Sequence, residues 1–129
     1  ILIIICILIV FVLFVLGLPN SKYSATVSKL RAIRTAVKLY YMYNGTLPDN
    51  LTSAVKQQFK EKNVLLPDPY TENNQEVKIF DGTGGWIYNP EKLSIALNYK
   101  PLWPPWAWKG ISIKITKSSL DKIDKDNRN

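Results

Sequence analysis

The chain contains no histidine, and Cys6 is its only cysteine. Without histidine there is no imidazole to serve as general base or metal ligand. A single cysteine excludes an intrachain disulfide and a thiolate metal cluster, and its place inside an apolar run makes it a small hydrophobe. No acidic residue occurs before Asp49, whereas Lys22, Lys29, Arg31, Arg34 and Lys38 all do. The formal net charge of +7 therefore has a strongly basic first third. Such a balance suits nucleic acid, anionic lipid or an acidic partner, and equally a solvated helix face. No Gly-rich phosphate loop precedes a helix, and no EF-hand spacing joins the acids Asp68, Glu72, Glu76 and Asp81. No catalytic constellation is legible, so the expectation is a protein that is not an enzyme and uses no cofactor or metal.

What the chain does have is a long hydrophobic run at its start. Ile1 to Leu18 carries no charge, and only Cys6 and Gly17 in it are not plainly hydrophobic. A helix of about 18 residues spans roughly 27 Å, close to the ~30 Å hydrocarbon core of a bilayer. The apolar residues run all the way round such a helix, so either lipid or copies of the helix must surround it. The run has neither the basic start nor the small-residue cleavage site of a secretory signal peptide, which predicts that it is retained.

Pro19 then predicts a kink or local break. Beyond it, Tyr23, Val27, Leu30, Val37 and Tyr41 fall on one helical face, widened by Ile33, Ala36 and Tyr40. The spacing predicts an amphipathic helix over 20–43, continuous or nearly so with the apolar run. Asn44-Gly45 is a helix stop, and Asp49 or Asn50 caps a second helix near 51–61 through Leu51, Val55 and Phe59. Residues 63–75 read as loop.

Period-two alternation at Val77 and Ile79, at Trp86-Ile87-Tyr88, at Leu93, Ile95 and Leu97, and at Ile111, Ile113 and Ile115 predicts three to four short antiparallel strands. Asp81 to Gly85 reads as a flexible turn between two of them. The fold class expected is α+β: a long N-terminal helix, apolar in its first half and amphipathic in its second, packed on a small antiparallel sheet. Three segments follow: a transmembrane or filament-core helix over 1–19, a globular head over 20–116, and a polar, frayed tail over 117–129.

Several side chains stand out as candidates for contact. Trp103, Trp106 and Trp108 cluster in a Pro-interrupted stretch, either covering an open edge of the core or anchoring a subunit contact. Arg31, Arg34 and Lys38 form a basic face, a subunit contact or a weak signal for DNA phosphates. Asn44 and Asn50 begin Asn-X-Thr sequons, at helix ends where capping alone accounts for them.

The order of these parts resembles the type IV pilins and the pseudopilins of type II secretion. Leu18-Pro19-Asn20 with Tyr23 resembles the family's Pro-centred step. Asn44-Gly45-Thr46-Leu47-Pro48 resembles its link between long helix and head. Leu66-Pro67-Asp68-Pro69-Tyr70, followed by Gly82-Thr83-Gly84-Gly85-Trp86-Ile87-Tyr88-Asn89-Pro90, resembles the run in which a Gly-Gly-Trp strand begins the sheet. The likeness covers about residues 1–98. It implies a structural subunit of a helical filament, a homopolymer assembled through Ile1, Leu2, Ile5, Leu8, Ile9, Phe11, Val12, Phe14, Val15 and Pro19. It further implies an inner-membrane location and assembly machinery before polymerisation, then a cell-surface pilus or periplasmic pseudopilus.

The chain departs from the family pattern in two ways. It has neither the initial phenylalanine nor the nearby glutamate, Leu2 standing near the place of that carboxylate, and it lacks the C-terminal disulfide of many pilins. Two alternatives follow: a minor or priming subunit of such a machine, or a single-span membrane protein whose basic, Trp-rich head binds a ligand, lipid or DNA.

Overall fold

A computed structural model describes residues 1–58, 65–102, 105–107 and 109–128, with the side chains of 16–20, 58, 106 and 126–128 outside the description. Helix α1 covers Leu2–Asn44 and α2 covers Leu51–Gln58. Strands β1 (Glu76–Val77), β2 (Trp86–Asn89) and β3 (Ser94–Leu97) follow, then a 3-10 turn at Pro105–Ala107, strand β4 (Ser112–Lys114) and helix α3 (Lys117–Arg128). The class is α+β, as the alternating periodicities predict.

The apolar periodicity places the core. Leu30, Ile33, Ala36 and Val37 of α1 are buried, with Tyr23, Val27, Tyr40 and Tyr41 packed at the margin. Opposite them, Trp86 pairs with Leu97 and Tyr88 with Ile95 across the β2–β3 ladder, and all four are buried. Each such side chain contributes about 1.5–3 kcal/mol on leaving water, and aromatic–aliphatic cross-strand pairs add to this. The polar ends of the aromatics are satisfied: Trp86 Nε1 donates to the Leu66 carbonyl at 2.7 Å, and Tyr88 OH to that of Pro48 at 2.9 Å. Leu51, Ala54 and Val55 bring α2 into the same core.

Helix ends follow the local sequence. Gly45 adopts φ 75°, and its N–H donates to the Tyr41 carbonyl at 2.8 Å, closing α1. Asn50 Oδ1 accepts from the Ser53 N–H at 2.8 Å and caps α2. The bounds of α1 run across position 19 without an interruption. Phe59, expected on α2, lies outside the described residues.

Three expectations are corrected. The sheet is mixed rather than antiparallel: its order is β1-β2-β3-β4, and β1 pairs parallel with β2. After β1 the chain closes a loop through positive φ at Gly82, Gly84 and Gly85 and re-enters beside its own start, so Trp86 N–H donates to the Gln75 carbonyl at 2.9 Å. A hairpin would have reversed the strand; this loop does not. The strand expected through Ile79 stops at Val77, leaving Ile79 exposed.

The segment 117–129, expected to be frayed, is helical as α3 over Lys117–Arg128. The Thr116 carbonyl accepts from the Ser119 N–H and hydroxyl at its start, Leu120 enters the core, and Asp124 accepts a hydrogen bond from Tyr41 OH at 2.7 Å. Local charge does not prevent a helix that has one apolar anchor and a tertiary hydrogen bond.

Candidate assembly and partner surfaces

Three regions carry the side chains that chemistry or contact would use. The first is the N-terminal part of α1. Ile1, Leu2, Ile5, Leu8, Ile9, Phe11, Val12, Phe14 and Val15 are all exposed, from 96% at Ile1 to 48% at Val15. Cys6 among them is exposed with a free thiol. Ile3, Ile4, Ile7, Val10 and Leu13 are exposed as well, so the apolar surface encircles the helix. Among the described residues no helix is long and apolar enough to cross a membrane. The described side chains of this run end at Val15, and Pro19 lies outside them.

The second region is the basic face of α1. Arg31 is exposed, and Arg34 and Lys38 are half-buried. Arg31 and Arg34 line a groove of about 400 Å³ between α1 and β4, with Val27, Leu30, Ile111 and Ser112. Arg34 Nη1 reaches the Lys114 carbonyl at 3.5 Å. No ion pair engages Arg31, Arg34 or Lys38 among the described residues. Of the tryptophan cluster, Trp103 and Trp108 lie outside the described residues, as does the side chain of Trp106.

The third region, around the Gly-Gly-Trp strand, is held by two buried polar side chains that sequence reasoning did not single out as anchors. Asp68 Oδ1 accepts from the Tyr70 and Thr71 N–H groups at 2.9 and 2.7 Å, and Oδ2 from Thr71 Oγ1 and from the Gly85 N–H at 2.7 Å. Asn98 Oδ1 accepts from the Asp81 and Gly82 N–H groups, and Nδ2 donates to Asp81 Oδ1 and the Gly84 carbonyl. The loop 81–85, expected to be a flexible turn, is thus pinned from inside. The one available signal was an Asp between two prolines followed by Thr71, an Asx-type turn.

The acids considered for a calcium ion do separate work. Asp68 is engaged by its own turn and by the Gly85 N–H of the neighbouring loop. Glu76 accepts from the Leu51 N–H at the start of α2, and Asp81 accepts from Thr83. Among the described residues no group of three potential ligands forms. Burial raises the Glu76 carboxyl above its ordinary range, against the opposing effects of the Leu51 N–H and Lys78. The Tyr88 phenol is pushed up to about 12, first by burial and then by Glu76, Asp49 and Tyr40. Hydrogen bonds from the Thr83 hydroxyl, then from Asn98, lower Asp81.

The sequon asparagines are engaged as helix-terminal residues. Asn44 Nδ2 donates to the Tyr40 carbonyl at 2.9 Å and to Gln57 Oε1 at 2.7 Å, and Asn50 is the α2 cap.

No family model matches the chain, and neither does any curated protein or solved structure.

Proposed function

We propose that this protein is a structural subunit of a helical filament of the type IV pilin or pseudopilin class, assembled through the apolar N-terminal part of its long first helix. One observation carries the reading: the described side chains of that part are apolar on every side and exposed, while the same helix continues into the core of a folded head. Leaving the run in water costs on the order of 20–40 kcal/mol at ~1.5–3 kcal/mol per side chain. Lipid covers it before assembly, in the inner membrane, and neighbouring copies of the helix cover it in the filament. A contact between unlike faces, repeated by rotation and rise, generates an open fibre with the heads outside, on the cell surface or as a periplasmic pseudopilus. The Leu-Pro-Asn step, the Asn-Gly-Thr-Leu-Pro link and the Gly-Gly-Trp strand support the same class.

The test is electron microscopy of the full chain on detergent removal, wild type beside Phe11→Asp and Ile9→Lys. The wild type forms uniform fibres. The variants form none, while their near-UV circular dichroism matches the wild type. Wild-type fibres from either variant contradict the reading.

A further inference from the structure

The groove between α1 and β4 has a second wall that its arginines alone do not reveal. Strand β4 is an edge of the sheet. Its register pairs Ser94 with Lys114, Ile95 with Ile113 and Ala96 with Ser112. Leu97 N–H donates to the Ile111 carbonyl at 2.8 Å, and Ile115 N–H to the Leu93 carbonyl at 2.7 Å. Backbone direction alternates along a strand. Ile111, Ile113 and Ile115 therefore turn their peptide groups toward β3, and Ser112 and Lys114 turn theirs away. The Lys114 carbonyl, facing outward, is the one that Arg34 meets. The N–H and C=O of Ser112 and the N–H of Lys114 have no hydrogen-bond partner among the described residues. A row of open backbone donors and acceptors thus runs beside two guanidiniums, over a floor that includes Val27, Leu30 and Ile111.

We propose that this edge binds an extended acidic segment of a partner protein as a fifth strand, its backbone pairing with Ser112 and Lys114 and a carboxylate meeting Arg31 and Arg34. Strand addition at an open edge supplies main-chain hydrogen bonds, and side chains on the new strand supply selectivity. Arginine paired with carboxylate is the strong, geometrically specific form of that selectivity. Charge decides against a second copy at the same edge. Pairing β4 with β4 would bring Lys114, Arg31 and Arg34 of two chains together, the like-charge opposition that blunts natural edges. The other edge, β1, is two residues long, too short to offer a ladder.

The test uses the full chain, isotope-labelled in neutral detergent micelles, and two synthetic pentapeptides: acetyl-Val-Asp-Val-Glu-Val-amide and its Asn/Gln counterpart. The acidic peptide shifts the Ser112 and Lys114 amide resonances, and the neutral one binds roughly tenfold more weakly or less. Arg31→Glu, at a guanidinium with no partner among the described residues, brings the acidic peptide down to the neutral level. Ser112→Pro removes the outward N–H and abolishes binding of the acidic peptide, with the remaining spectrum retained as evidence of folding. The proposal is overturned if the acidic peptide leaves Ser112 and Lys114 unmoved, if both peptides bind alike, or if Ser112→Pro binds undiminished. It is equally overturned if those resonances respond to protein concentration alone, which would assign the edge to a second copy.

Discussion

Asn98 and Gly84 hold each other from both sides: Asn98 Nδ2 donates to the Gly84 carbonyl at 2.9 Å, and the Gly84 N–H donates to the Asn98 carbonyl at 3.0 Å. Asn98 is fully buried and fixes Asp81 and Gly82 through its other amide atom. Asn98→Ala removes these side-chain bonds and leaves buried backbone groups unpaired. The expected cost is about 2–4 kcal/mol, read as a lowered urea midpoint with an unchanged slope.

The glycines of the chain differ in what they tolerate. A Cβ on Gly85 would stand 2.3 Å from the Gln75 carbonyl oxygen, at φ +82°, whereas a Cβ at Gly45 meets nothing within 4 Å. Gly45→Ala costs only the left-handed backbone penalty, about 1–2 kcal/mol. Gly85→Ala also separates β1 from β2 and costs more than that. Thermal unfolding of the two variants side by side gives the order.

The parallel β1–β2 pair and the pinned loop were not legible in the sequence, and the reason is physical. Whether Gly82, Gly84 and Gly85 make a hairpin or a closed loop depends on Asn98 and Asp68, which are distant in the chain. Period-based reasoning sees only neighbours. By contrast, Leu30, Ile33 and Val37, and Trp86 with Tyr88, advertise their burial by spacing alone. Helix α3 hid because, among its described side chains, Leu120 alone is buried amid charged residues, and its hydrogen bond to Tyr41 comes from a helix far away in the chain. The apolar start and the basic face of Arg31, Arg34 and Lys38 were legible one residue at a time. The open edge beside the arginines required the register.

The docking of α3 makes its own forecast. Leu120→Ala leaves a cavity beneath the helix and costs about 2–4 kcal/mol if α3 folds with the head as one unit. Asp124→Asn keeps an acceptor for Tyr41 and costs much less. A single cooperative transition in circular dichroism, lowered for Leu120→Ala, is the expected outcome.

Stability also falls in alkali. The Tyr88 phenol ionises near 12 in the folded chain and near 10 when unfolded. Its contribution is complete below pH 10 and is lost as pH rises through 12, because the unfolded chain releases the proton first. Tyr88→Phe removes this part of the alkaline loss. Glu76, likewise raised, contributes most below its ordinary range and loses that contribution as pH rises through its folded value. Glu76→Gln keeps an acceptor for the Leu51 N–H, so its stability relative to wild type improves as pH rises above the ordinary carboxylate range. Denaturant midpoints across pH check both signs.

The central claim is that copies of the apolar helix cover one another. Cys6, the one cysteine and exposed on that helix, offers a native attachment point for a spin label. Electron paramagnetic resonance of the labelled, assembled protein measures whether Cys6 positions approach one another. The account predicts dipolar broadening in fully labelled assemblies that disappears when labelled chains are diluted with unlabelled ones. Spectra that stay narrow at full labelling would mean that each helix is surrounded by lipid or detergent alone, and would contradict the filament reading.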